Sequence, residues 1–237
     1  MEKLFDENFD LNYAEIKEKI AVAAEKSGRK AEDIILLAAT KTVSAERINY
    51  AISQGIEYIG ENRVQELLSK DDEVNPAAHR HFIGHLQTNK VKDIVDRVEM
   101  IESVDSVHLA EKIGAECKKR GKVMDILLEI NIGNEESKSG FTPEGIYDVI
   151  DEIMEIEGIK VCGIMAIPPY FTEKAVGREF FERLYHIFVD ISAKKLDNNN
   201  RLYLSMGMSS DYDLAIECGA NLVRIGTGLF GNRNYNI

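Results

Sequence analysis

The chain has 237 residues, 44% hydrophobic and 30% charged, with a formal net charge of −12, enough for one large α/β domain or two small ones. The acidic balance argues against nucleic acid or an anionic membrane surface as a partner, since either would need a basic face. No long apolar run and no basic start leading into one occurs, and Cys117, Cys162 and Cys218 lack metal-type spacing, so a soluble protein of a reducing, cytoplasmic compartment is expected.

In chain order, Tyr13, Ile16, Ile20, Ala23 and Ala24 mark an N-terminal helix that ends near Gly28. IILLAATK, 34–41, suits a buried strand closed by Lys41, and strands follow at 58–62 (YIGEN), 81–85 (HFIGH) and 100–104 (MIESV). Val107, Ala110, Ile113 and Cys117 recur at helical spacing, with Lys118, Lys119 and Arg120 in the last turn and Gly121 as the stop. After a strand at 125–131 (DILLEIN), Thr142 and Pro143 read as N-cap and first helical residue of a helix carrying Ile146, Val149, Ile150 and Ile153. A strand at 160–167 (KVCGIMAI) precedes a helix with Phe180, Leu184, Ile187, Phe188 and Ile191, and LDNNN, 196–200, reads as a loop. The last strands are 203–208 (YLSMGM) and 222–227 (LVRIGT), separated by a short helix that Asp211 caps and Gly219 closes. Eight strands, each joined to the next by at least a crossover's length, predict a single-domain (β/α)8 barrel. A doubly wound open sheet is the rival and normally carries fewer strands at this length.

Barrel sites lie at the carboxyl ends of the strands, with phosphate often held after strands 7 and 8. The polar residues at those ends are Lys41, Asn62, His85, Ser103, Asn131, Ser209 and Thr227. Gly207-Met208-Ser209-Ser210 and Gly226-Thr227-Gly228 offer small residues, hydroxyls and free amides, which suit a phosphate; ordinary helix capping by Ser209 or Ser210 is the alternative. Arg224 falls inside the eighth strand, where a permanent cation requires a partner. Closure of the barrel makes Arg224 and Lys41 neighbours. Pyridoxal 5′-phosphate (PLP) fits this set, its aldehyde meeting Lys41, its ring nitrogen Arg224 and its phosphate Ser209 with the 226–227 amides. A salt bridge from Arg224 to a carboxylate such as Glu129 fits as well. His81 and His85 lie too far apart along a strand to share a metal ion; His85 reads as a pocket wall, and His79 and His81 as surface or strand-start residues.

Through AATKTV, GENRVQE, HFIGHLQTNK, IESVDS, EINIGNEESKSGF, GIMAI, SMGMSSD and VRIGTGLFG, nearly the whole chain resembles the YggS/PROSC family of pyridoxal-phosphate homeostasis proteins. The resemblance implies that Lys41 holds the cofactor as a Schiff base and that Arg224 lies against the pyridine nitrogen. Ser209, Gly226 and Thr227 would bind the phosphate, and Asn62, His85 and Met165 would line the pocket. The fold it implies is a fold-type III PLP-binding barrel, like the amino-terminal domain of alanine racemase with an extra N-terminal helix and without the C-terminal β domain.

The function it implies is intracellular PLP (vitamin B6) homeostasis by a monomeric carrier or regulator, with apo PLP-dependent enzymes as possible recipients and no defined reaction of its own. Two other readings compete. One is a PLP-dependent amino-acid racemase-like enzyme, which needs a second acid/base over the cofactor; Tyr170 and Tyr212 are the tyrosines expected near the mouth loops. The other is a barrel that binds a sugar phosphate at the same anion site.

Overall fold

The structure, a computed structural model, describes residues 6–194 and 202–231. The loop expected at 196–200 therefore lies outside the described residues.

Eight parallel strands close into a barrel in sequence order, β1 (Ile35–Ala39), β2 (Tyr58–Glu61), β3 (His79–Phe82), β4 (Met100–Val104), β5 (Met124–Glu129), β6 (Ile159–Met165), β7 (Tyr203–Ser205) and β8 (Leu222–Ile225). Around them run α2 (Ala45–Ser53), α3 (Val64–Lys70), α4 (Val91–Ile94), α5 (Val107–Lys119), α6 (Ile146–Met154), α7 (Lys174–Ala193), α8 (Tyr212–Glu217) and the short α9 (Thr227–Phe230). The fold is a (β/α)8 barrel, as the alternation of patterns predicts, and the open sheet is excluded by closure of β8 onto β1.

The expected helical faces bury as their spacing requires. α5 places Leu109, Ala110, Ile113 and Cys117 against the barrel wall, starts at a Ser106 side-chain cap, and is followed by Gly121 at φ +66. α7 buries Phe181, Leu184, Ile187 and Ile191, leaving Phe180 and Phe188 at the margin. The N-terminal helix α1 (Glu7–Lys26) buries Phe9, Ile16, Ile20, Ala23 and Ala24 against α8 and α9, its first turn held by Asp6 accepting from the Phe9 N–H at 3.1 Å. Two caps differ from the sequence reading. The Thr142 hydroxyl closes a turn by accepting from the Gly145 N–H, and the helix begins only at Ile146. Asp211 stands at the N-cap of α8, but its carboxylate turns back to the Met208 N–H at 2.7 Å.

Most strands stop short of the lengths expected from the sequence. β1 ends at Ala39, β3 runs from His79 to Phe82, and β7 ends at Ser205. The residues beyond these ends leave the ladder and form the rim. Register also departs from simple alternation on both sides of β5. β4 carries an extra residue between Ile101 and Val104, and β6 carries one between Val161 and Ile164. Gly163 makes the second bulge possible: its φ is +143, and a Cβ there would meet the Tyr203 carbonyl oxygen at 2.0 Å. The bulge lets both Cys162 and Met165 face the barrel interior with Met100 and Leu127.

Candidate functional site

All eight strands run the same way, so every residue just past a strand end stands at one mouth. Lys41 is two residues past β1, half-buried, in a tight turn that the Val43 N–H closes on the Thr40 carbonyl at 3.0 Å. Thr42, the next residue, has φ +61, an uncommon conformation for a β-branched side chain. β8 pairs with β1 as expected, but its register sets Arg224 opposite Leu37. Lys41 follows in the turn beyond the end of β1, four residues after Leu37.

Arg224 is 4% exposed, and its partners form a chain across the barrel. Its Nη1 donates to the Ser205 hydroxyl at 2.5 Å and its Nη2 to the Ala166 carbonyl at 2.9 Å. Ser205 donates to Glu102 Oε2 at 2.6 Å, and His81 Nδ1 meets Glu102 Oε1 at 2.7 Å. Glu102 Oε2 lies 3.9 Å from Arg224 Nη1, so the nearer countercharge is Glu102, on β4, and Glu129 acts on Arg224 only through its field. Burial would raise the Glu102 carboxyl, but the His81 hydrogen bond, His81, Arg224 and Ser205 outweigh it and hold Glu102 below the usual range. His81 is therefore not a surface residue: it is 4% exposed, inside the barrel. His79 does lie outside, stacked on Tyr58 and paired with Glu99.

At the seventh and eighth strand ends, two donors meet on one oxygen. The Ser209 hydroxyl accepts from the Gly228 N–H at 3.1 Å and from the Thr227 hydroxyl at 3.2 Å. Neither Ser209 nor Ser210 caps α8; Ser209 instead serves an amide in the first turn of α9. Gly226 precedes α9, and a Cβ on it would sit 3.2 Å from the Ala39 carbonyl, which binds the eighth strand end closely to the first. Asn62 follows β2 with its Oδ1 buried and without a partner among the described residues. Met165 ends β6, 1% exposed. His85, on the loop after β3, is largely exposed and bridges loops through Asp105 at 3.1 Å and Ser139 at 3.3 Å. Ser103 donates to the Gly84 carbonyl, and Asn131 ties its own loop through the Glu135 and Lys138 carbonyls. Tyr170 is 92% exposed on the loop after β6; Tyr212 opens α8 directly after the β7 loop, with its side chain buried in the outer core.

Glu129, at the mouth end of β5, is pushed up to about 7, first by burial and then by Asp105, with Arg224 pulling the other way. A carboxyl raised on folding contributes stability that is present at acid pH and is lost as pH rises through the folded value. Glu129→Gln should thus leave stability unchanged near pH 4 and raise it by about 1–3 kcal/mol above pH 8, allowing for partial exposure. Urea unfolding of both proteins across this range checks it; parallel pH profiles would exclude a raised Glu129.

Residues 11–234 match the family model described as the N-terminal domain of alanine racemase. The chain is 41% identical, over 221 residues, to a pyridoxal phosphate homeostasis protein of Aquifex aeolicus, covering 93% of this chain and 96% of that one. Among solved structures it is similar to an unknown protein from Bifidobacterium adolescentis, with a TM-score of 0.87, 36% identity, and 96% and 98% of the two chains covered. It is also similar to PipY of Synechococcus elongatus with PLP bound, with a TM-score of 0.77, 30% identity, and 90% and 100% covered.

Proposed function

This chain belongs to the pyridoxal phosphate homeostasis protein family, and we propose that it binds PLP at the barrel mouth and serves intracellular PLP supply without a defined reaction of its own. What supports the reading is an amine, Lys41, and the Ser209–Thr227–Gly228 cluster at the same end of the barrel, with a buried cation, Arg224, inside it. The residues fit the group in kind. Ser209, Thr227 and the amides of the 226–228 segment would hold the phosphate. Arg224, fixed by Ser205 and the Ala166 carbonyl, would face the ring nitrogen and, staying protonated, keep that nitrogen unprotonated. The buried, unpartnered Asn62 Oδ1 awaits a donor, and Met165 and His85 would complete the walls. When bound, PLP would supply an aldehyde, and Lys41 is the residue whose amine would hold it covalently.

The absence of a reaction is part of the proposal. Two-base racemisation needs an acid/base on each face of the cofactor. Lys41 serves one face; Tyr212 is packed in the outer core and Tyr170 points into solvent. The reading includes a monomeric, cytoplasmic protein with apo PLP-dependent enzymes as recipients. Cys117, Cys162 and Cys218 are buried free thiols, which suits a reducing compartment, and no helix among the described residues is long and apolar enough to cross a membrane.

Titration with PLP should give a visible Schiff-base band that vanishes on borohydride reduction, and the loaded protein should activate an apo PLP-dependent enzyme. Chiral analysis after incubation with single L-amino acids should find only trace exchange. Turnover at about 1 s⁻¹ or faster would replace the carrier reading with the racemase one, and no band at all would favour a sugar phosphate.

A further inference from the structure

The turn that carries Lys41 is gripped from outside the barrel by a buried ionic cluster. Lys70, the last residue of α3, is 9% exposed, unusual for a lysine at a helix end. Its ammonium donates to the Thr40 carbonyl at 2.9 Å and the Val43 carbonyl at 3.1 Å, the two residues that bracket Lys41 and Thr42. The same ammonium pairs with Glu61 at 2.6 Å and with Glu66 at 3.0 Å. Glu66 in turn accepts from the Thr42 N–H, and Glu61 accepts from the Thr40 hydroxyl. Two carbonyls and one N–H of the turn thus have partners in the cluster.

The geometry also explains what the grip is for. A left-handed, β-branched residue costs on the order of 1–3 kcal/mol and persists only where its surroundings over-determine it. Thr42 at φ +61 holds that conformation directly beside Lys41. Released, the turn would relax toward ordinary backbone angles and carry the Lys41 side chain with it. Glu61 lies on the outer side of β2, since its neighbour Gly60 packs inward against Leu37 and Ile83. The cluster therefore reaches the turn from the outer side of the barrel. From this arrangement we infer that Lys70, with Glu66, is a positioning residue that sets the orientation of Lys41 toward the pocket.

The inference rests on the proposed attachment of PLP at Lys41, so the test separates the two. Wild type, Lys70→Met, Glu66→Gln and Lys41→Ala are compared by the rate of covalent PLP attachment and by the affinity for pyridoxamine 5′-phosphate, which has no aldehyde and reads the pocket without Lys41. Attachment should slow about tenfold or more in Lys70→Met and severalfold in Glu66→Gln, because small misplacements of a reacting group carry large rate penalties. Affinity for pyridoxamine 5′-phosphate should stay within about twofold of wild type, since the phosphate and ring contacts are not displaced. Arg29→Met supplies a control: Arg29 binds the Ile216, Gly219 and Ala220 carbonyls at the end of α8, away from the turn, and its loss should lower stability without slowing attachment. Should Lys70→Met fail to fold, Glu66→Gln carries the test, because Glu66 is partly exposed. Wild-type attachment rates in both variants, or a parallel fall in both ligands, would overturn the positioning role. Absence of attachment in the wild-type protein would instead overturn the PLP reading itself.

Discussion

Replacing Lys41 by alanine should abolish covalent PLP attachment completely while changing stability by about 1 kcal/mol or less. Lys41 is half-buried in a rim turn, and the bonds that hold the turn are backbone and side-chain bonds of Thr40, Thr42 and Val43. Removing its side chain therefore opens no cavity in either hydrophobic layer of the barrel. Borohydride reduction followed by peptide mapping should find the pyridoxyl group on the Lys41 peptide of the wild-type protein and nowhere in the variant. Recovery on another lysine, such as Lys90, would sink the assignment. Non-covalent binding should survive in the variant, because the Ser209, Thr227 and Gly228 cluster makes no use of Lys41. Equilibrium dialysis with PLP separates that outcome from general loss of the pocket.

The order of the elements and the face each helix buries are legible in the sequence because period and length report them directly. Arg224 is legible too, since a cation in a buried strand demands a partner wherever the strand sits. Its partner is not. The sequence offers Glu129, yet the nearer carboxylate is Glu102 on β4, which shares the inward face of Met100 by plain alternation. Which inward carboxylate meets Arg224 is set by packing across the barrel, and neither strand's own sequence reports that. His81 is lost for a related reason. Taken as a strand start it seems peripheral, but β3 begins at His79, and the pairing of His81 with Met100 carries it inside against Glu102. Lys70 is invisible for a third reason: a lysine in the last turn of a helix satisfies the dipole and normally faces water. Only the packing of α3 over the end of β1 turns it into a buried donor.

Arg224→Met should cost about 3–5 kcal/mol of stability, because it strands a buried charge. Glu102 is 0% exposed, and its Oε2 is held by Ser205, whose hydroxyl is in turn oriented by Arg224 Nη1. Without the guanidinium, Ser205 keeps its bond to Glu102 but Glu102 loses the positive neighbour on that side. Glu129, already raised to about 7, loses the pull of a cation that favours its charged form and should rise further. Arg224→Glu should be worse still, placing a third carboxylate beside Glu102 and Glu129, and should also weaken retention of PLP if the guanidinium faces the ring nitrogen. The partner is identified by a double-mutant cycle. Glu102→Gln in the Arg224→Met background removes the stranded charge and should recover at least about 1 kcal/mol, whereas in the wild-type background the same change should be destabilising. Urea unfolding of the four proteins measures the coupling. Additive effects, with no recovery in the double variant, would mean that Arg224 is balanced by something other than the Glu102 carboxylate, and the chain from His81 to Arg224 would have to be abandoned as the device that holds the guanidinium in place.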